Sequence, residues 1–439
     1  MDLRSRLRSI VKPSSPVREL TYEPDTGARY EASVDPRRVG EILGGQPVQT
    51  AFGSCLAIDR RYESNRRHGD VLIGDCQLEG NASLDNLRVL DPALVVESGL
   101  SRTVFIDLET TGLSGGAGTV AFLVGCGFFD LGAFQVRQFL LTSYNAERAL
   151  LAAVADFFGD ADLVVTYNGK TFDLPVMETR WLFHRMDVPL DGVPHFDALH
   201  AGRRLWKSRA EMDAAQDPGG CRLSTLERML FDVRRVGDVA GFEIPSRYFR
   251  FLRSGDPRPL EPVLEHNRLD LVSLAAVTAR AARLVDDGAE GCSDGAQALA
   301  LGRVFERAGS LDRAEACYKR ASTADATEVR AEGLYRLGLK CRRERRFGEA
   351  AEVWRQIVTL TESSRFGKTE TGASLRQFAV EALAIHHEHR DRDLHIAREL
   401  ALFALEEGVD QRRADGYRHR LARLDRKIAR QETDQLFWS

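Results

Sequence analysis

Residues 104–113 read VFIDLETTGL, a run of apolar strand formers that carries Asp107 and Glu109 and then breaks into Thr-Thr-Gly. Successive side chains of a strand point to opposite faces, so Asp107 and Glu109 share one face and Leu108 lies on the other. Burying two neighbouring carboxylates is costly unless something cationic neutralises them. The stretch therefore predicts a strand that ends at an acidic, cation-binding position.

The pattern around this strand predicts an α/β region. "TVAFLVGCGFF" and "AFQVRQFLL" are typical of a second and a third strand, and the Asp130-Leu131-Gly132 break between them indicates a hairpin. "AERALLAAVADFF" has helical spacing, "DLVVTY" indicates a further strand, and "VPHFDALH" indicates a strand that runs into a helix. Three antiparallel strands, then a helix and a strand that returns to the sheet, is the order of an RNase H-like fold. We expect a mixed five-stranded sheet flanked by helices.

The C-terminal part of the chain is predicted to be all-α. Six positions in two helical stretches match with an offset of 36 residues, since Leu337 corresponds to Leu301. The matched sets are Leu301, Gly302, Phe305, Ala314, Tyr318 and Ala321, and Leu337, Gly338, Cys341, Ala350, Trp354 and Ile357. Small residues where helices cross, with aromatic residues at fixed offsets, are typical of tetratricopeptide repeats. An unrelated α-helical bundle is the alternative.

These patterns divide the chain into four parts. Residues 1–98 stay unassigned, although "CLAIDRRYE" and "DVLIGD" indicate short strands. Residues 99–285 form the α/β domain, and the polar, Gly-rich stretch over 286–295 is the predicted linker. Residues 296–439 form the predicted tetratricopeptide-like repeats, closed by a charged capping helix.

Composition narrows the class of protein. The net charge of −4 is no global signature of nucleic-acid binding, so any such binding would use a local patch or metal ions. No apolar run is long enough to cross a bilayer, and the N-terminus lacks the apolar segment of a secretory signal. The seven cysteines include no C-x-x-C pair, a usage typical of thiols in a reducing compartment. We expect a cytoplasmic protein without membrane attachment.

Two further acidic residues accompany the first pair. Asp173 in "TYNGKTFDLP" follows a strand and opens a helix, where an ordinary N-cap would also explain it. Asp270 in "HNRLDLVSL" lies deep inside a predicted helix on an apolar face, where no capping role exists, and His266 lies one turn earlier on the same face. Asp107, Glu109, Asp173 and Asp270 come from separate elements and can converge on one pocket.

Four carboxylates suit two Mg²⁺ or Mn²⁺ ions, which prefer hard oxygen ligands and bind phosphate oxygens. Two such ions about 4 Å apart clamp the attacking and the leaving oxygen of a phosphodiester. His266 can take the proton of the attacking water, because an imidazole titrates near neutral pH. The pattern therefore predicts hydrolysis of a nucleic acid, and the ions would link the acidic pocket to the anionic polymer.

The motifs "FIDLETTGL", "YNGKTFD" and "HNRLD" resemble the three exonuclease motifs of the DnaQ-like (DEDD) superfamily. Longer stretches, among them "ETTGLSGGAGTVAFLVG", "HFDALHAGRRLW" and "IPSRYFRFLRSGD", resemble the bacterial YprB family, which joins an RNase H-like exonuclease domain to C-terminal tetratricopeptide repeats. The resemblance implies a metal-dependent 3′–5′ exonuclease that acts on DNA 3′ ends in repair of mitomycin-type damage. It also implies a helicase or other repair protein as partner, and a cytoplasmic, nucleoid-associated location.

By this resemblance Asp107, Glu109, Asp173 and Asp270 are metal ligands and His266 is the base. One feature departs from the superfamily. Its His subtype places the base five residues before the last Asp, where this chain has Glu265. His266 lies four residues before Asp270, which is the spacing of the Tyr subtype.

Four residues near the motifs are assigned to substrate binding. Thr110 and Leu113 border the Gly-rich turn after the first strand, and Asn168 and Phe172 lie on the strand-to-helix turn. Phe172 is compatible with base stacking and equally with core packing. Asp197 is interpreted as an N-cap, in preference to an acid that supports the metal ligands from behind. Two other functions stay open: a scaffold in which the nuclease fold is architectural, and an exoribonuclease, because nothing in the motifs distinguishes a 2′-hydroxyl from its absence.

Overall fold

The structure is a computed structural model that describes residues 35–78, 80–96, 100–112, 118–213, 220–408 and 411–437. Within these ranges the main sheet has seven strands in the order β1-β2-β7-β6-β5-β8-β9, and β3 and β4 form a separate pair. The strands are β1 Gln46–Thr50, β2 Gly53–Tyr62, β3 Arg67–His68, β4 Val71–Leu72, β5 Thr103–Thr110, β6 Ala121–Asp130, β7 Ala133–Leu140, β8 Leu163–Thr166 and β9 His195–Asp197.

The expectation of five strands is wrong, because β1 and β2 extend the sheet. Strand β2 pairs antiparallel with β7, from Leu56 opposite Leu140 to Tyr62 opposite Phe134. The "CLAIDRRYE" stretch is a strand, as its pattern indicates, but its partner lies about 80 residues away, and local pattern does not specify such pairing. The division of the chain at residue 98 therefore does not coincide with an edge of the sheet.

The mixed character of the sheet places the acidic motif at one edge. Strand β6 pairs antiparallel with β5 and β7, and the predicted hairpin is confirmed by Asp130 opposite Ala133. Leu131 and Gly132 have φ of 50° and 77°, as the tight two-residue hairpin turn requires. Strands β5, β8 and β9 run parallel. Their carboxyl ends therefore meet at one edge, where open α/β sheets hold ligands.

Helices cover both faces of the sheet. The α-helices are α1 Pro36–Leu43, α2 Gly80–Leu90, α3 Glu147–Phe158, α4 Asp173–Phe183, α5 Ala198–Asp213, α6 Leu223–Phe231, α7 Ile244–Ser254, α8 Glu261–Asp287, α9 Gly295–Arg307, α10 Leu311–Ala321, α11 Thr327–Arg343, α12 Phe347–Glu362, α13 Glu370–His386, α14 Leu394–Glu406 and α15 Gln411–Phe437. Val104 and Ile106 on β5 pack in a core with α3, α4 and α7. Phe105 faces the opposite core, which α2, α5, α6 and α8 build.

The region after α8 is helical in its described parts, as expected, and it shares a core with the sheet domain. Each of these helices packs against the next one in sequence, and α5 of the first region packs against α9. The core that contains Phe105 continues through α8 to Trp354 on α12 and Leu383 on α13. The predicted linker is short, since α8 ends at Asp287 and α9 begins at Gly295, with the Asp294 side chain capping it. The two regions are therefore packed against each other.

In both matched stretches a glycine of one helix packs against an aromatic ring of the next helix. A Cβ atom at Gly302 would collide with the ring of Tyr318, and one at Gly338 would collide with the ring of Trp354. Both rings are buried. Glycine is therefore required at each crossing, because the aromatic ring of the following helix occupies the space of a side chain. None of the described helices has the length and apolar character that crossing a membrane requires.

Gly338→Ala is expected to destabilise the protein, because the added methyl group overpacks the contact with Trp354. Overpacking of a core costs about 1–3 kcal/mol. Gly348→Ala is the matched control, since a Cβ at Gly348 meets no atom within 4 Å. Thermal or urea unfolding of the two variants measures the difference. Equal stability of both variants would contradict the close approach at Gly338.

Candidate active site

The first two carboxylates lie on the face of β5 that α8 covers. Asn267 of α8 is fully buried and donates through Nδ2 to Asp107, to its carboxylate Oδ2 at 2.8 Å and to its carbonyl O at 3.1 Å. Gln138 of β7 donates to Asn267 Oδ1 at 2.7 Å. Gly125, opposite Asp107 on β6, leaves room for this amide, because a Cβ there would overlap the Asn267 side chain. This polar contact fixes α8, and with it Asp270, over the end of β5.

Asp173 is presented by a loop that Asp197 holds. The Asp197 carboxylate is buried and accepts from the backbone N–H of Asn168 at 2.8 Å and of Lys170 at 3.1 Å. It also accepts from Leu199 N at 3.1 Å, which is the hydrogen bond of an N-cap. Asn168 has φ of 69°, a left-handed conformation in which its amide turns toward Asp197. Asp173 is the first residue of α4, so it is not the N-cap of that helix.

The four acidic residues interact electrostatically. Burial raises the pKa of Asp107 well above its usual range, and the charges of Asp270, Glu109 and Asp173 raise it further. Burial and the charges of Asp270 and Asp173 likewise raise the pKa of Glu109. Burial, followed by the charges of Asp197 and Asp270, raises the pKa of Asp173 to about 7. The fold therefore assembles carboxylates whose charges repel one another.

Asp270 is paired with a residue that the motifs did not include. Arg235, on the segment between α6 and α7, donates from Nη2 to Asp270 Oδ1. His266 Nε2 lies 3.5 Å from Asp270 Oδ2, and His266 Nδ1 lies 2.6 Å from Asp238 Oδ1. Arg235 also forms two hydrogen bonds to Glu227, of 2.7 and 2.9 Å. In the sequence, the signal for this network of Arg235 and its acids is Glu227, a charged residue on the largely apolar stretch "LSTLERML" over 223–230.

The predicted substrate-binding residues lie around the same edge, except Leu113, which lies outside the described residues. Thr110 Oγ1 donates to Gly112 O at 2.8 Å and so shapes the turn after β5. Asn168 Oδ1 accepts from the hydroxyl of Thr171 at 2.9 Å. Phe172 is 40% exposed, so the core-packing interpretation does not hold for it.

Carboxylate oxygens are suitable ligands for a hard divalent cation, but these side chains do not form a complete metal site. Clustered carboxylates that raise one another's pKa favour a cation with oxygen ligands, as Mg²⁺ and Mn²⁺ do. Across the part of the chain that the structure describes, no three His, Cys, Asp or Glu side chains are arranged to hold a metal ion. Asp270 is instead engaged by Arg235. Metal binding would therefore require side-chain rearrangement.

Comparison with known proteins supports the fold of this region. Residues 104–282 match the RNase_H_2 model of the RNase_H superfamily, so this part of the chain is an RNase H superfamily domain. The protein YprB of Bacillus subtilis (strain 168), described as uncharacterized, is 29% identical over 398 residues, which is 89% of this chain and 90% of YprB. A family B DNA polymerase from the hyperthermophilic archaeon Pyrobaculum calidifontis aligns at 14% identity and a TM-score of 0.31, over 48% of this chain and 29% of the polymerase chain. This last likeness is too weak to carry an argument.

The raised pKa of Asp173 predicts that stability depends on pH. An unfolded aspartic acid titrates at about 3.9, whereas folded Asp173 keeps its proton to about pH 7. Between these values the folded state binds more protons, so the contribution of this group to stability falls as pH rises. In EDTA we expect Asp173→Asn to raise Tm by a few degrees at pH 8, with the gain shrinking as the pH is lowered toward 5.

The control for this measurement is Glu178→Gln, which removes a carboxylate from the exposed side of the same helix α4. Its Tm is expected to follow that of the wild type over the whole pH range. If the Tm difference between Asp173→Asn and wild type is independent of pH, then the carboxylate does not titrate as the geometry requires.

Proposed function

We propose that the protein is a metal-dependent 3′–5′ exonuclease that hydrolyses DNA phosphodiesters through two Mg²⁺ or Mn²⁺ ions. The observation that carries the proposal is the meeting of Asp107, Glu109, Asp173 and Asp270 at the carboxyl edge of β5, where each carboxylate is within electrostatic reach of others. A half-buried anionic cluster of this kind would be stabilised by divalent cations. Membership of the RNase H superfamily supports a nuclease, since that superfamily consists mostly of nucleases.

The proposed ligands are the four carboxylates, which come from three elements: β5 carries Asp107 and Glu109, α4 begins with Asp173, and α8 carries Asp270. Bound divalent ions would supply an activated water and neutralise the charge that develops on the departing 3′ oxygen. His266 would accept the proton of the attacking water at Nε2, the nitrogen that lies on the side of Asp270. The carboxylates cannot attract a polyanion by themselves, so their affinity for DNA would depend on the ions.

The surroundings of the cluster suit a single-stranded 3′ end. Phe172 is exposed immediately before Asp173 and offers a ring on which the terminal base can stack. Thr110 and Asn168 lie on the two turns beside the carboxylates. We assign these three residues, with Leu113, to binding of the terminal nucleotide.

We further propose that residues 296–439 form tetratricopeptide-like repeats that bind a partner, a helicase or another repair protein. The equivalent glycine–aromatic contacts in the two matched stretches support this assignment. Residues 99–285, extended by β1 and β2, would act as the catalytic domain, and 286–295 would join the two. A role in DNA repair near the nucleoid belongs to the same proposal.

Asp107→Asn is expected to abolish Mg²⁺-dependent release of nucleotides. The change keeps the shape of the side chain and the contact with Asn267 but removes a charge that holds the ion. We expect a loss greater than the roughly 10–100-fold that follows loss of an outer partner of a metal ligand. The assay follows 5′-labelled and 3′-labelled DNA and RNA, single- and double-stranded, with Glu178→Gln as a folded control.

Shortening from the 3′ end of DNA would support the proposal. Preference for RNA would change the substrate to that of an exoribonuclease, and a wild type that degrades no substrate would leave the architectural role. Digestion by Asp107→Asn at the wild-type rate would show that the chemistry resides elsewhere.

Binding of the ion also has a readout that does not need activity. A ligand present at 100 times its Kd adds about 2.7 kcal/mol of stability to the state that binds it. Mn²⁺ should therefore raise the Tm of the wild type at pH 8 by several degrees and leave that of Asp107→Asn, Glu109→Gln double variants close to the value in EDTA. An equal rise in both proteins would contradict the assigned ligands.

A further inference from the structure

Arg235 makes contacts that exceed those of an ordinary ion pair. Its side chain is 7% exposed, and it donates to three carboxylates: Glu227 at 2.7 and 2.9 Å, Asp238 at 3.2 Å, and Asp270. The guanidinium has a rigid planar fork of five N–H donors, so its orientation is set once several of them are bound. Arg235 therefore couples the positions of these three acids.

Glu227 anchors the guanidinium in the core. This carboxylate is 1% exposed, and the hydroxyl of Ser273 on α8 donates to its Oε2. Because that hydroxyl proton is used, Ser273 Oγ accepts from His68 Nε2, which lies 2.9 Å away. The chain from His68 to Glu227 joins β3, α6 and α8 behind Arg235. The guanidinium is therefore anchored by Glu227 as well as by Asp270.

Asp238 in turn orients His266. Its Oδ1 lies 2.6 Å from His266 Nδ1, whereas the nearest guanidinium nitrogen lies 3.4 Å from the same Nδ1. The short contact to a carboxylate oxygen makes Nδ1 the protonated nitrogen, which donates to Asp238. Nε2 is left on the side of Asp270, 3.5 Å from Oδ2. The arrangement has the logic of an acid that fixes the tautomer and orientation of a catalytic imidazole.

We propose that Arg235 and Asp238 are positioning residues of the active site: Arg235 fixes the carboxylate of Asp270, and Asp238, held by the same guanidinium, fixes the ring of His266 with Nε2 toward the carboxylates. The inference rests on the proposed nuclease function. It explains how His266 serves as base from a position four residues before Asp270, since a partner outside the helix sets the direction of the ring. Both residues lie on the segment between α6 and α7, outside the three motifs.

The test uses the full-length protein and a double-mutant cycle of Asp238→Asn and His266→Ala. Asp238→Asn alone is expected to lower kcat on single-stranded DNA by about 10–100-fold, with KM and the affinity for Mn²⁺ within about twofold of wild type. In the His266→Ala background the same change is expected to have no further effect on kcat, because Asp238 acts through the imidazole. Asp256→Asn, in an exposed pair with Arg258 at 2.8 Å, is the matched control and should match wild type.

Arg235→Lys tests the other half of the proposal. A lysine keeps the charge but cannot bind three carboxylates in one plane. We expect this variant to bind Mn²⁺ about 10–100-fold more weakly, as measured from the electron paramagnetic resonance signal of free Mn²⁺. If Arg235→Lys does not fold, the double variant Arg235→Gln, Glu227→Gln is measured instead, because neither member of the pair is then charged.

The outcomes separate the two proposals. An active wild type with an unchanged kcat for Asp238→Asn, or an equal loss in both backgrounds of the cycle, overturns the role of Asp238. Wild-type affinity for Mn²⁺ in a folded Arg235 variant overturns the role of Arg235. A wild type that degrades no nucleic acid overturns the proposed function, and the inference fails with it.

Discussion

Electrostatic repulsion among four half-buried carboxylates is the constraint on which the architecture of the first domain depends. Burial and the charge of Asp270 raise the pKa values of Asp107, Glu109 and Asp173. A fold that optimised stability alone would replace such a cluster with apolar residues, because unpaired buried charge is among the most destabilising features of a core. The cluster is therefore a destabilising feature, which the proposed binding of a cation would offset.

The groups that hold the four carboxylates in place are neutral, or their charge is compensated by a neighbouring residue. Asn267 donates an amide to Asp107 and leaves no extra charge, and Gly125 supplies the space for it. Asp197 accepts three backbone N–H groups, which fixes the loop before Asp173 without a cation. Arg235 is the exception, and Glu227 balances its charge from behind. The net negative charge at the edge of β5 is thus retained.

The helical region is tied to this domain by packing. Helix α8 carries Asn267, His266 and Asp270 at its N-terminal half, while its C-terminal half belongs to a core that continues into the C-terminal helical region. A single 27-residue helix therefore connects the candidate site with the C-terminal region. Any displacement of α8 would act directly on the positions of Asp270 and His266.

Much of the site was predictable because its signals are local. Alternation along β5 placed Asp107 and Glu109 on one face, the hairpin turn was identified at Asp130-Leu131-Gly132, and an acid on an apolar helical face marked Asp270. Each of these patterns spans only a few residues, and the periodicity of a strand or helix determines it. The order of strands and helices likewise indicated the RNase H-like architecture.

The remaining features depend on residues that are distant in sequence. The pairing of β2 with β7, which gives the sheet seven strands instead of the expected five, cannot be inferred from local pattern. The same holds for the contact of Asn267 with Asp107, because these residues are 160 positions apart. Arg235 and Asp238 look like solvated loop residues until the chain brings them against α8. Periodicity fixes which face of an element a side chain occupies, whereas the packing of whole elements decides which charges meet, and that packing is a property of the complete chain.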